Sequence, residues 1–318
     1  MERIVPFTNP AAWPSIKPDR FASNITTDSP DGCAVALLGL PHDLGVRLNH
    51  GRPGAHEGPA AFRRVLSSFG ADFDQQRQTP LDIRVFDAGD IEPAPGDTEA
   101  ALHETHDRIT RALREVHTMG LLPVCVGGGH DLTFPSIRAL SQHINAPTGG
   151  INIDPHLDVR DTVGSGMPFR SAIEGGFLDP QRFVEFGVGR FANSRVHTEY
   201  LRERYAALIP IEKARDFKSA IPVAFDRAFP AGRADLGFVS LDLDVIDASA
   251  APGVSSPNPD GLSVDRVLKI IERAGEHPAV RHFDIMELSP PHDSSDRTAR
   301  IAALCFLTFL AGFSERPS

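Results

Sequence analysis

Residues 33–40 form a continuous apolar run closed by Pro41. Being short and bounded by turn residues, the run predicts a strand buried on both faces, not a helix. Apolar runs at 83–86, 121–126, 150–154, 183–188, 208–211, 236–243 and 280–288 predict further strands. Between them the period changes. Over 98–119, Leu102, His106, Ile109, Leu113 and Val116 recur at steps of four and three, the stripe of one long amphipathic helix. His106 lies on that stripe and is expected to be a core histidine. A second helix starts at Glu57-Gly58-Pro59, with proline tolerated in its first turn and Phe62, Val65, Leu66 and Phe69 as its stripe. Others are predicted over 132–143, 193–207, 219–229 and 298–313. One more opens at Ser263, with Val264, Val267, Leu268 and Ile271 on one face and Gly275 at its end. Strands alternating with helices along the whole chain predict a three-layer α/β/α fold with a mainly parallel central sheet.

The first 31 residues are Pro-rich and aperiodic, so an irregular N-terminal arm is expected, held down by Trp13 and Phe21. No fixed-period repeat or linker divides the remainder, and a single domain over 1–318 follows. Residues 45–55 carry three glycines, a proline and several polar groups, which predicts a shaped loop at a strand's C-terminal end, where open α/β sheets bind ligands.

Composition narrows the function. Hydrophobic residues at 41% and charged residues at 23% describe a globular chain. A formal charge of −10 without clustered Lys and Arg argues against nucleic acid as a partner. No apolar run is long enough for a membrane span, and residues 1–18 lack the order of a secretory signal, so a cytoplasmic location is expected. Cys33, Cys125 and Cys305 are widely spaced among apolar neighbours and are expected to be buried free thiols.

Three segments at strand ends carry the chemistry. Asp154-Pro155-His156-Leu157-Asp158 places three metal-ligating types at alternate positions, which in an extended segment share one face. Burying two carboxylates and an imidazole at the end of a core strand costs several kcal/mol unless a cation compensates; the alternative is a solvated loop beginning just past Ile153. Asp242-Leu243-Asp244 repeats the spacing after another buried-type strand, while Asp247 falls out of register and reads as a turn or capping residue. Gly127-Gly128-Gly129-His130 lacks the spacing of a phosphate loop. Its glycines are expected to let His130 sit close beside neighbouring strands, although a plain Gly-rich turn remains open. Four carboxylates and two imidazoles, with no thiolate, suit an ion such as Mn²⁺ better than structural zinc. Six ligands exceed one tetrahedral ion, and two ions sharing carboxylates would lower the pKa of a water between them. Hydrolysis is the reaction class that follows.

At these residues the chain resembles the ureohydrolases: arginase, agmatinase, other guanidino-acid hydrolases and formimidoylglutamase. Gly51-Arg52-Pro53-Gly54, Glu57-Gly58-Pro59, Gly128-Gly129-His130, the Asp-x-His-x-Asp claw and Ser240-Leu241-Asp242-Leu243-Asp244 carry the likeness. Asp284-Ile285-Met286-Glu287-Leu288-Ser289-Pro290 and Asp296-Arg297-Thr298-Ala299-Arg300-Ile301-Ala302-Ala303 complete it. The resemblance implies an arginase-like fold and two Mn²⁺ per subunit, with other divalent ions possible. One ion would be held by His130, Asp154, Asp158 and Asp242, the other by Asp154, His156, Asp242 and Asp244. It further implies that a shared hydroxide attacks the substrate's amidine carbon, that Asp158 helps move the proton, and that Glu287 holds the cationic amidine or guanidinium.

The segment Val46-Arg47-Leu48-Asn49-His50-Gly51-Arg52, Arg160 and Ser165-Gly166-Met167-Pro168-Phe169-Arg170 are similar to the formimidoylglutamase branch. That likeness implies hydrolysis of N-formimidoyl-L-glutamate to L-glutamate and formamide, a step of histidine degradation. Asn49 and either Arg160 or Arg170 would then contact substrate, an arginine gripping a carboxylate bidentately; ordinary ion pairing is the other reading of both arginines. Phe169 stands where arginases carry a proton-shuttling histidine, which argues against arginine as substrate. Two departures accompany the likeness. Pro155 replaces the usual alanine and removes an N–H between two ligands, and the 161–164 segment is short for this branch. The alternatives are a guanidino-acid or agmatine-type enzyme releasing urea, and a non-catalytic metal-binding member. The latter requires an incomplete ligand set or loss of Glu287, and neither is seen. The family likeness also implies a homotrimer or homohexamer.

Overall fold

The structure, a computed structural model, describes residues 3–231 and 236–316. Eight parallel strands form its centre: β1 (Val35–Leu40), β2 (Val85–Ile91), β3 (Leu122–Gly127), β4 (Thr148–Ile153), β5 (Leu178–Val188), β6 (Ala207–Pro210), β7 (Gly237–Asp242) and β8 (Val280–Met286). Their spatial order is β2-β1-β3-β8-β7-β4-β5-β6. Alternate residues of β1 enter different apolar clusters, Val35 and Leu37 on one face and Ala36, Leu38 and Leu40 on the other. This is the physical content of the unbroken apolar run: both faces are covered. Helices Gly58–Leu66, Phe217–Ala228, Val264–Glu276 and Arg297–Phe313 share the first cluster, and Glu99–Thr118 packs on the second face. The three-layer α/β/α architecture follows.

Several elements differ from their sequence outlines. β2 continues through Asp87, Ala88, Gly89 and Asp90, which read as a strand's end in sequence. It continues because Arg63, buried on the facing helix, binds Asp87 Oδ2 at 2.8 Å and Asp90 Oδ1 at 2.6 Å, so charges that would stop a strand are neutralised inside the fold. The expected loop at 45–55 contains a helix, Leu44–Leu48, whose buried Leu44 and Val46 the surrounding glycines obscured. A helix at Pro168–Glu174, with proline at its start and Phe169 and Ala172 buried, has no counterpart in the sequence reading. The helix expected at 193–207 is Arg195–Arg202, capped when Ser194 Oγ accepts from His197 N at 3.2 Å. Gly275 stands at the end of its helix, the last residue but one of Val264–Glu276, and a Cβ there would collide with the Phe309 carbonyl of the neighbouring helix.

All three cysteines are free, and Cys125 and Cys305 are buried, but Cys33 is only half-buried because it precedes β1 instead of lying in it. In the N-terminal arm, whose first two residues lie outside those described, Trp13 Nε1 donates to Asp87 Oδ2 at 2.6 Å and Phe21 is buried edge-on against Phe306. Short strands occur there too: Thr8–Asn9 pairs antiparallel and Ile25–Thr26 parallel with β2. Among the described residues no helix is long and apolar enough to cross a membrane.

Candidate metal centre and its pocket

The strand order brings the three chemistry-bearing segments together. β7 lies between β8 and β4, with Leu241 in register with Ile153 and Asp242 with Met286, so Asp242, Asp154 and Glu287 emerge at one edge of the sheet. His130 follows β3, on the far side of β8. Its approach depends on Gly128, where a Cβ would overlap the His42 carbonyl. Close backbone packing, not a special φ, explains that glycine. His106 is fully buried and binds Asp131 Oδ2 at 2.8 Å, one residue past His130, so it supports the turn from the core.

The claw is not extended. β4 ends at Ile153, Asp154 Oδ1 accepts the His156 N–H at 2.7 Å, and Asp158 adopts φ +45°. A turn therefore makes the convergence that alternation was expected to make. The second acidic pair behaves alike: β7 ends at Asp242, whose Oδ1 accepts the Asp244 N–H at 2.7 Å. Asp247 forms a local turn, accepting from Ser249 N at 2.9 Å. Pro155 disturbs none of this, because the donor serving Asp154 is the next N–H along. Its carbonyl is held by Asn193 Nδ2 at 2.8 Å, while Asn193 Oδ1 accepts from Leu157 N at 2.9 Å. Asn193 thus clamps the claw from β5's far end. It escaped the sequence reading because it looked like the first residue of a helix.

His130 Nδ1 lies 3.1 Å from Asp154 Oδ2, 3.0 Å from Asp158 Oδ2 and 3.1 Å from Asp242 Oδ2. It is buried, yet makes no well-formed hydrogen bond. Neighbouring ligands of an octahedral ion with bonds of about 2.1 Å sit about 3 Å apart, so the donor spacing fits a divalent cation. A second half lies alongside: His156 Nδ1 is 3.2 Å from Asp154 Oδ1 and 3.8 Å from Asp244 Oδ2. Asp154 therefore presents one oxygen to each half.

The electrostatics ask for positive charge. Burial alone would lower the pKa of His130, but Asp154, Asp158 and Asp242 raise it well above the usual histidine value. His156 rises to about 10, Asp154 and Asp244 overcoming its burial. Burial, and then Asp154, raise Asp242 to about 6; burial, Asp242 and Glu287 raise Asp244. Asp154, although buried, is lowered by His130 and His156. Glu287 rises to about 8 through burial and then Asp242. Glu185, an acid among the buried residues of β5, is likewise raised by burial and Asp154. Asn152 Nδ2 holds its Oε2 at 2.8 Å; an acid inside an apolar strand was the sequence signal that went unread.

These shifts give a signed expectation. Glu287 and His156 hold protons in the folded protein that the unfolded chain, with values near 4.5 and 6.5, has already released. Chelated protein should therefore lose stability as pH rises from about 5 to 10. Cations replace those protons, so the increase in melting temperature produced by Mn²⁺ should be larger at pH 9 than at pH 6. A larger increase at pH 6 would contradict this account of the cluster.

The cluster floors a cavity of about 360 Å³ lined also by Asn49, His50, Arg52, Arg160, Ser165, Asn193, His197, Ser255 and Glu287. Glu287 has φ +66°; its Oε1 accepts from His130 N at 2.8 Å, while Oε2 is buried without a well-formed hydrogen bond among the described residues, and the nearby Ser255 side chain opposes the rise in the group's pKa. Asn49 Nδ2 donates to Ser165 Oγ at 3.0 Å. The short 161–164 segment is closed by Arg160 N to Gly166 O at 2.8 Å and docked by Ser165 N to Gly45 O at 2.9 Å, which sets Arg160 on the cavity wall. Arg170, the other candidate, lies elsewhere. It sits on the Pro168–Glu174 helix outside this cavity, bound to Glu174 Oε1 at 2.9 Å and lying over the Tyr200 ring at 4.6 Å. Phe169 is core, edge-on to His130 at 5.5 Å.

A three-layer fold whose parallel sheet gathers carboxylates and imidazoles at its C-terminal rim, as the floor of a small polar cavity, has the arrangement of a hydrolase class whose donor set could hold divalent cations. Within it, residues 33–312 match the arginase family profile, and the chain belongs to that family. It is 31% identical over 295 residues to the formimidoylglutamase of Ralstonia nicotianae, covering 86% of this chain and 84% of that one. To the human mitochondrial guanidino acid hydrolase it is 30% identical over 284 residues, 86% and 77% of the two chains. The crystal structure of Trypanosoma cruzi formiminoglutamase with two Mn²⁺ superposes with a TM-score of 0.85 at 32% identity, covering 94% of this chain and 99% of that one.

Proposed function

We propose that this chain, acting as one ureohydrolase domain, hydrolyses N-formimidoyl-L-glutamate to L-glutamate and formamide. The observation that carries the reading is the polarity of one cavity: a buried Glu287 Oε2 that makes no well-formed hydrogen bond among the described residues at its floor, and the Arg160 guanidinium, in no ion pair among the described residues, on its wall. A substrate with a cationic amidine at one end and carboxylates at the other matches both. Relatives of about this identity named formimidoylglutamase support it.

His130, Asp154, Asp158 and Asp242 would hold one divalent cation and Asp154, His156, Asp242 and Asp244 the other, Mn²⁺ suiting the donor set. When bound, such a pair supplies Lewis acidity and water of lowered pKa. The chain's residues do the rest. Glu287 Oε2 accepts an amidine N–H and turns its carbon toward the floor. Arg160 grips a carboxylate of the tail, and Asn49, fixed by Ser165, bounds that end. As water adds to the amidine carbon, Asp158 takes up a proton. It passes that proton to the glutamate nitrogen as the C–N bond breaks and formamide leaves.

Measuring formamide and urea across a panel of formimino and guanidino acids tests the assignment; urea from a guanidino acid with no formimidoylglutamate turnover would end it. That second reading has the support of the human guanidino acid hydrolase's similarity. Replacing Arg160 by Gln removes charge-assisted bonds of about 1.5–3 kcal/mol, so KM should rise roughly ten- to a hundredfold while kcat changes less. An unchanged KM would place the carboxylate elsewhere.

A further inference from the structure

We propose that Asp284, acting through Ser240, is a positioning residue that fixes which nitrogen of His130 faces the cation and so sets affinity at the His130 half of the centre. This rests on the two-cation reading above. Asp284 lies on β8 and is fully buried. Its Oδ1 is 2.5 Å from Ser240 Oγ, and its Oδ2 is 3.0 Å from Thr133 Oγ1 and 3.2 Å from His282 Nε2. A carboxylate has no hydrogen to offer, so all three neighbours donate to it. Ser240 thereby spends its only hydrogen on Asp284.

The consequence passes to the next group. Ser240 Oγ is also 3.0 Å from His130 Nε2. With its hydrogen committed, the hydroxyl can only accept, so the ring proton of His130 sits on Nε2. Nδ1, directed among Asp154, Asp158 and Asp242, is then the nitrogen whose lone pair a cation takes when it displaces the proton those carboxylates hold there. The opposite tautomer would set a bare Nε2 against the Ser240 oxygen, acceptor against acceptor, and put a proton where a cation belongs. Strand pairing fixes the relay: Ser240 and Asp284 are register partners on β7 and β8, and Thr133 opens the helix Thr133–Ile144 over them. His156 has no such support among the described residues, since its ring is partly exposed and the groups facing its Nδ1, Asp154 and Asp244, belong to the same cluster. The two halves should therefore respond differently when the relay is cut.

Chelated full-length protein titrated with Mn²⁺, followed by calorimetry and by the electron paramagnetic resonance of the bound ions, tests the assignment. Ser240→Ala removes the acceptor without introducing charge. Asp284→Asn sets an amide N–H against a donor in either orientation, and cuts the relay from its other end should the first variant fold poorly. Each is expected to weaken one of the two binding steps by about 10–100-fold, leaving the other within about threefold. The spin-coupled pair should vanish at concentrations that load the wild type. Two unchanged steps, or two steps weakened equally, would overturn the positioning role. A wild type that takes up fewer than two ions would instead remove the two-cation reading itself, a result visible before any variant is made.

Discussion

Asp242→Ala is expected to abolish paired cation binding and activity together, with turnover falling by at least about a thousandfold, because a water held near pKa 7 reverts toward 15.7 without its ions. Asp242 sits at the middle of the strand order. Its Oδ2 is 3.1 Å from His130 Nδ1 and its Oδ1 orders the Asp244 N–H at 2.7 Å. Removing it takes away a carboxylate proposed to serve both halves and frees the Asp244 N–H. Folding can be separated from binding by a sign argument. Burial and Asp154 raise Asp242 to about 6, so above that pH its ionised form destabilises the cation-free fold. Chelated Asp242→Ala protein should therefore melt no lower than chelated wild type at pH 8, while Mn²⁺ should stabilise only the wild type. Activity surviving in this variant would overturn the dinuclear reading.

Glu287→Gln is expected to lower kcat/KM by hundreds- to thousandsfold with both cation-binding steps kept. Gln retains the carbonyl oxygen that accepts the His130 N–H at 2.8 Å, so the turn that presents His130 survives. What changes is the free oxygen. Oε2, buried and without a well-formed hydrogen bond among the described residues, becomes an N–H₂ facing the N–H donors of a cationic amidine. Breaking a buried pair from one side costs about 3–5 kcal/mol, which converts to that rate loss. Cation titrations run in parallel discriminate the outcomes. Loss of Mn²⁺ along with turnover would assign Glu287 to the scaffold of the centre instead of to the substrate.

Particular residues mark how far the sequence could be read. The ligand types at 130, 154, 156, 158, 242 and 244 stood out because carboxylates and imidazoles directly after apolar runs are costly to bury. The geometry assumed for them was different: Asp154 and Asp242 are drawn in by turns that their own side chains cap. Arg160 and Arg170 were equal candidates in sequence. Closure of the 161–164 segment puts the first on the cavity wall, whereas a helix that proline-first patterning hid carries the second away to Glu174 and Tyr200. Asn193, Glu185 and Asp284 were passed over since each acts on a residue far away in the chain.

The sequence by itself determined the layered α/β class and which polar residues follow the apolar runs, since apolar periods of two and of 3.6 are written in neighbouring residues. Only the tertiary structure decided that β7 stands between β8 and β4, that Asp154 turns one oxygen to each half of the centre, and that Ser240 meets both His130 and Asp284. Those contacts depend on strand order and register. Both are settled when separate apolar faces pack against one another, an event that no local stretch of the chain specifies.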